Sequence, residues 1–435
     1  MLEKAFNGNK AYWIWLLVLL GIITTGFTFY LRQLDFGLGI TGMNRDVTWG
    51  FYIAQFTFWS GWPHLAVMLV IPYYLHNYKA FGRITIMGEF LAIASVIMCI
   101  LFIIADLGQP MRLLNVLLYP TPHSMLFWDM IVLSGYLLIN LVVGWNVLDA
   151  ERNNVPPAKW IKPIIYLSVP WAVSIHTVTA FLYCGLPGRG FWLTAVLAPR
   201  FLASAFAGGP AFLIILCLLV RKVTNFDPGK EQIQSLAKVV VYGSIANMFF
   251  FLCEVFVAMY SQIPEHMDHL KYLFFGLHGH GTLVPWMWTA MALIVGGIIL
   301  LLIPSARKNE AVLAVACAFT FIGIWIDKGM GMVAGGFVPN PLHEVNEYFP
   351  TFPEVMIAIA VYGTGFLILT ILYSLYRGKG RTGRLIFSKI AIEKGTFPET
   401  SSIYGVRCLA EKIKKYGNPW MKKRYWVLMI FLLTK

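Results

Sequence analysis

Charged side chains are scarce in this sequence: Asp, Glu, Lys and Arg make up 13% of 435 residues, against 58% hydrophobic and 15% aromatic. So large an apolar share excludes a single soluble domain, whose core could not hold it. Cysteine is scarce as well. The six residues, Cys99, Cys184, Cys217, Cys253, Cys317 and Cys408, form no CxxC, no CxxCH and no ferredoxin-like cluster. The chain is therefore expected to bind no iron–sulfur cluster and no c-type haem itself. Nor does it offer the two pairs of in-span histidines that a membrane diheme protein uses, since only His64 and His176 lie well inside apolar runs. His266, His269, His278 and His280 share one loop but match no firm zinc or haem spacing, and read as a polar loop. A cleavable signal peptide is not expected, because the first apolar run is full length and lacks a small-residue cleavage site.

What is present is a series of apolar runs, each long enough to cross a hydrocarbon core about 30 Å thick. About ten transmembrane helices are expected, at 11–31, 50–75, 84–105, 124–147, 161–184, 201–220, 236–259, 282–303, 311–326 and 355–376. The fold class is thus an all-α, multi-pass integral membrane protein. A net charge of +13 would suggest nucleic acid in a soluble chain. Here Lys and Arg gather in alternate loops, so the expected partner is the bilayer, with no nucleic acid and with both termini cytoplasmic. The membrane domain is expected to cover 1–380 and a basic cytoplasmic tail 381–435. The tail's last apolar run, Tyr425 to Leu433, suits either the membrane interface or a poorly ordered terminus. Three loops on the predicted outer side, 185–200, 261–281 and 329–353, are too rich in Gly, Pro and aromatics to be freely solvated. They are expected to carry a partner protein or to pack on themselves.

An ionisable group at the centre of a span costs about 2.5 to 3.5 kcal/mol, so each one asks for a reason. Asp106, Asp129, His176, Glu254 and Asp327 all fall on the predicted outer half. Carboxylates and a histidine near one interface suit a quinol site, which needs hydrogen-bond partners for the hydroxyls and bases for the protons. Glu89 stands apart near the cytoplasmic side, as the entry of a proton path or as an interfacial carboxylate near Arg83. Gly37-Leu-Gly-Ile-Thr-Gly42 spells a dinucleotide fingerprint by letters only, since no strand precedes it.

At Asp106-Leu-Gly-Gln-Pro-Met-Arg112 and His123-Ser-Met-Leu-Phe-Trp-Asp129-Met the chain resembles the NrfD-type family, the polysulfide reductase membrane subunits. Lys10-Ala-Tyr-Trp-Ile-Trp15 and Phe58-Trp-Ser-Gly-Trp-Pro-His64 are most similar to its DsrP (HmeB) branch, from membrane complexes of sulfur- and sulfate-metabolising prokaryotes. The resemblance implies two four-helix bundles, spans two to five and six to nine, flanked by spans one and ten. It implies menaquinol as substrate, oxidised at the outer leaflet, with electrons passed to an extracytoplasmic iron–sulfur subunit. A multihaem cytochrome c, a haem b membrane subunit and an HdrD-like iron–sulfur subunit would complete the assembly. By motif match the quinone contacts fall on Asp129, Trp128 and Asp106. Arg112 joins them, and His64 or His176 stands in for histidines that relatives carry in spans one or three. Glu89 and Glu254 are the candidates for a proton path. Two rivals stay open: a structural anchor whose quinone site is lost, and a secondary transporter, for which Pro170, Pro210 and Pro285 would interrupt or begin helices.

Overall fold

The computed structural model describes residues 8–62, 69, 82–153, 158–224 and 226–377. His64, most of the second predicted span beyond Trp62 and the whole tail from 381 lie outside the described residues. Among these residues there is no strand, and nine helices are long and apolar enough to cross a membrane. They are α1 (Lys10–Phe36), α3 (Gly82–Asp106), α4 (Met125–Asn153), α5 (Ile161–Cys184), α6 (Leu197–Val223), α7 (Lys230–Ser261), α9 (Val284–Leu302), α10 (Glu310–Ile324) with its continuation to Phe337, and α11 (Phe352–Arg377). The helix α2 (Phe51–Trp59) is the described part of the second span, and α8 (Pro264–Phe274) lies between spans.

Local sequence accounts for several helix starts. Asn9 caps α1 by accepting from the Tyr12 amide at 2.9 Å, and Asn309 caps α10 through the amides of Ala311 and Val312. Pro264 and Pro285 occupy first turns, where a missing N–H costs nothing.

Packing sorts the helices into two sets. In the first, α2 lies on α3, α3 on α4 and α4 on α5; in the second, α6 lies on α7 and α10, and α9 on α7 and α10. Contact between α5 and α6 joins the sets, while α1 packs on α11 and α11 on α3, so that the first and last spans form a flanking pair. This is the arrangement the resemblance implied.

Lipid supplies no hydrophobic drive between helices, so close approach depends on small residues. A Cβ on Gly135 would lie 2.3 Å from the Trp171 ring, whose Nε1 donates to Val132 O at 2.9 Å and ties α5 to α4. A Cβ on Gly26 would lie 2.2 Å from the Cβ of Ala360 and 2.6 Å from Met356 O. Gly26→Ala is accordingly expected to push α1 off α11 and to cost about 1–3 kcal/mol. A lowered thermal midpoint in detergent, with α11 intact, is the check; an unchanged midpoint would mean that α1 slides without cost.

Two span limits differ from expectation, for one reason. The hydropathy of the sequence stops span nine at 326, but the helix continues through a π-helical turn, Trp325–Gly331, and on to Phe337. Span six likewise starts at Leu197 rather than 201. In both cases a charged residue read as loop, Lys328 or Arg200, is buried inside a helix, because partners from other helices offset its desolvation.

Candidate quinone site and charge cluster

The ends of α1, α3, α5, α7 and α10 meet the beginnings of α2, α4, α6, α9 and α11 at one end of the molecule, the end that the charge pattern predicts to be outer. Asp129 lies one turn into α4 and is 3% exposed. Its Oδ1 accepts from Thr179 Oγ1 of α5 at 2.9 Å. His176, equally buried, is three residues before Thr179 on the same face of α5. Tyr183, one turn beyond Thr179, shares a short hydrogen bond with Thr57 of α2. A carboxylate, an imidazole and three hydroxyls thus line the interior of the first bundle across α2, α4 and α5.

A second polar chain joins this bundle to the flanking pair. Gln33 near the end of α1 donates from Nε2 to Ala105 O at 2.7 Å, and its Oε1 accepts from Tyr52 OH at 2.7 Å. Asp106 closes α3 beside Ala105, and its Oδ1 is buried without a hydrogen-bond partner among the described residues. On α2, Gln55 Oε1 accepts from Trp325 Nε1 at 2.7 Å and from Tyr362 OH, bringing the first bundle, the π turn of α10 and α11 together.

Over this end the loops pack on one another. Arg189 donates to Phe337 O at 3.0 Å and to Asp46 O at 3.1 Å, and Asn346 donates to Asp46 Oδ2 at 2.6 Å. His269 Nδ1 sits 2.9 Å from Gly335 O and 2.7 Å from Val338 O. Two carbonyl oxygens in reach make Nδ1 a hydrogen-bond donor, and burial lowers the ring's pKa below the usual histidine value. Among the described residues no group of three His, Cys, Asp or Glu is placed to hold a metal ion.

Residues 39–338 match the family model described as polysulphide reductase, NrfD. The chain belongs to the NrfD family. It is 24% identical over 397 residues to a putative membrane subunit of dimethyl sulfoxide reductase from Halobacterium salinarum, covering 82% of this chain and 89% of the relative. It is 23% identical over 274 residues to the Hdr-like menaquinol oxidoreductase integral membrane subunit of Archaeoglobus fulgidus, covering 62% and 66%. It is 21% identical over 365 residues to the menaquinone reductase integral membrane subunit of Nitratidesulfovibrio vulgaris, covering 79% and 86%.

The Asp129 and Asp106 motifs fall within the NrfD match, and of the residues predicted from sequence Asp129 and His176 come together as buried neighbours of Thr179. Trp128 is 41% exposed and donates from Nε1 to Pro122 O at 2.8 Å, pinning the preceding loop to α4. Arg112 is exposed and forms no ion pair with a described residue. Glu89 is buried on α3, 17 positions before Asp106, which is about 25 Å at helical rise. The two carboxylates therefore belong to opposite ends of one span.

In the second bundle Glu254, a candidate for a proton path, is paired: Arg200 Nη1 holds it, while Nη2 holds Asp327 Oδ1 at 2.8 Å and Oδ2 at 2.9 Å. Asp327 does not end its span, since ten residues separate it from Phe337, about 15 Å at helical rise. It lies deeper than a row of charges at one interface would have it. Gln33, Tyr52, Gln55, Thr57, Thr179, Tyr183 and Arg200 were all missed; their signal was polarity inside apolar runs, which points to no particular partner.

Proposed function

We propose that this chain is the membrane subunit of a respiratory quinone oxidoreductase, and that it oxidises menaquinol in the first bundle at the end carrying Asp129. Asp129 and His176 accept the two protons, Thr179 orients the carboxylate, and Trp128 packs against the quinone ring. Asp106 supplies a further buried carboxylate oxygen, Arg112 stands at the mouth, and His64 belongs to the same group by motif. The two electrons pass singly to an extracytoplasmic iron–sulfur subunit with a cytochrome c beyond it, in a complex serving dissimilatory sulfur metabolism. No haem or cluster is assigned to this chain, whose part is placement and proton handling.

The observation that carries the reading is the buried Asp129–Thr179 hydrogen bond beside His176, inside a bundle whose relatives are named menaquinol oxidoreductase and menaquinone reductase membrane subunits. A buried carboxylate on α4, and an imidazole one turn from its hydrogen-bond partner Thr179 on α5, are the groups that take protons from a quinol as its electrons leave.

The test is reduction of the partner's clusters by a menaquinol analogue in the purified complex. Asp129→Asn keeps an acceptor for Thr179 but removes the base, and a loss of about 100-fold or more is expected with assembly intact. Unchanged reduction would leave the chain as an anchor or move the site elsewhere.

A further inference from the structure

The charges of the second bundle do not pair off. Arg200 takes both carboxylates, Glu254 and Asp327, which leaves Lys328 over. Lys328 is 5% exposed and within ion-pair distance of no described carboxylate. Its Nζ stands 4.3 Å from the centre of the Phe201 ring, a partial substitute for a counter-ion. The same Nζ lies 3.3 Å from where a Cβ on Gly61 would be, so the side chain reaches out of α10 to the second span, in the first bundle.

Behind it is a small cavity lined by Arg200, Ser204, Asn247, Asp327, Lys328 and Met332. Asn247 is 2% exposed, and its Oδ1 has no hydrogen-bond partner among the described residues. A buried acceptor of this kind, with a hydroxyl, a carboxylate and an ammonium around one cavity, is a setting for water. The backbone at Lys328 is the π turn, a form that concentrates at functional sites because it turns side chains off the regular helical face. Unlike a guanidinium, a buried lysine ammonium can give up its proton.

We propose that Lys328 is a proton-exchange site carrying protons through the second bundle, passing its proton across the cavity to the Asp327 carboxylate and being reloaded from the other side. The exchange is balanced, ammonium and carboxylate becoming amine and carboxylic acid, and needs no further reactant. The groups around Lys328 are Asp327 on its own helix, Arg200 and Ser204 on α6, Asn247 on α7 and Cys99 on α3, with Glu254 of α7 beyond Arg200 and Tyr183 of α5 beyond Phe201. The driving event is the change of charge around Asp129, so this inference rests on the quinol reading above.

The experiment uses the intact complex in liposomes, a menaquinol analogue as donor and an interior pH dye. Quinol oxidation is read with a protonophore present, and protons moved per quinol with it absent. Wild type is expected to move more protons than the two released chemically. Lys328→Met and Lys328→Arg should keep quinol oxidation and lose the excess, since neither side chain can cycle. A wild type that moves only those two protons, or a Lys328→Arg that retains the excess, overturns the proposal. If Lys328→Met fails to assemble, Lys328→Arg keeps the buried cation and decides. Asp129→Asn is measured alongside: if it oxidises quinol normally the quinol site is misassigned, while the proton count of the Lys328 variants still decides this inference.

Discussion

Arg200→Met is expected to destabilise the membrane domain by about 3–5 kcal/mol, because it strands two carboxylates inside the second bundle. Arg200 is 7% exposed and forks between Glu254 of α7 and Asp327 of α10, so three spans are joined through one guanidinium. Two features separate this loss from ordinary overpacking or a cavity. Arg200→Lys, which keeps the charge but not the fork, should fall between wild type and Arg200→Met. Adding Asp327→Asn and Glu254→Gln to Arg200→Met should recover part of the loss by removing the unpaired charges, although neither change restores a contact. Thermal midpoints of the purified complex in detergent measure all of these. A wild-type midpoint for Arg200→Met would mean that the carboxylates are satisfied without the guanidinium, and that the three spans are held by apolar packing alone.

The same triad marks the limit of what the sequence made legible. Apolar runs fixed by bilayer thickness are local, so spans such as 161–184 are found within a residue or two of the observed helices. Hydropathy fails where a charge is neutralised from far away. Arg200 and Asp327 stand 127 residues apart, and each looks like the edge of a span until its partner is known. Asp129 and His176 stand out in the sequence because an ionisable group inside a span is conspicuous and because Asp129 sits in a recognisable string, and the structure buries both. Thr179, Tyr183 and Gln55 were missed because a hydroxyl or an amide in an apolar run costs little and has many outlets, including its own helix backbone. Gln33 and Tyr52 belong to one network only because α1 and α2 fold back beside the end of α3, a tertiary fact that periodicity does not encode.

Glu354→Ala should loosen the loop-covered end of the molecule more than any other single loss there, by about 3 kcal/mol or more, since hydrogen bonds to a charged acceptor contribute about 1.5–3 kcal/mol each. Glu354 is wholly buried at the start of α11. Its Oε2 accepts from the amides of Gly42 and Thr351, each at 2.8 Å, and lies 3.1 Å from the Thr351 hydroxyl, while Oε1 accepts from Tyr348 OH at 2.6 Å. Tyr348 in turn accepts from the Phe51 amide at 2.7 Å, at the first residue of α2. Burial, and after it the charge of Glu354, pushes the Tyr348 phenol well above its usual pKa, so it stays a protonated donor at any physiological pH. One carboxylate thus ties the loop after α1, the loop before α11 and the start of α2. Alanine leaves these donors buried and unmet, whereas Glu354→Gln keeps one acceptor and should lose less. Amide exchange at Gly42, Phe51 and Thr351 reads the effect locally: 3 kcal/mol corresponds to opening about a hundredfold more often. Because Tyr52 follows Phe51 and holds Gln33 beside Asp106, the loosening should also slow quinol oxidation without touching Asp129. If exchange at these amides is unchanged, the end is held by Arg189 and Asn346 instead.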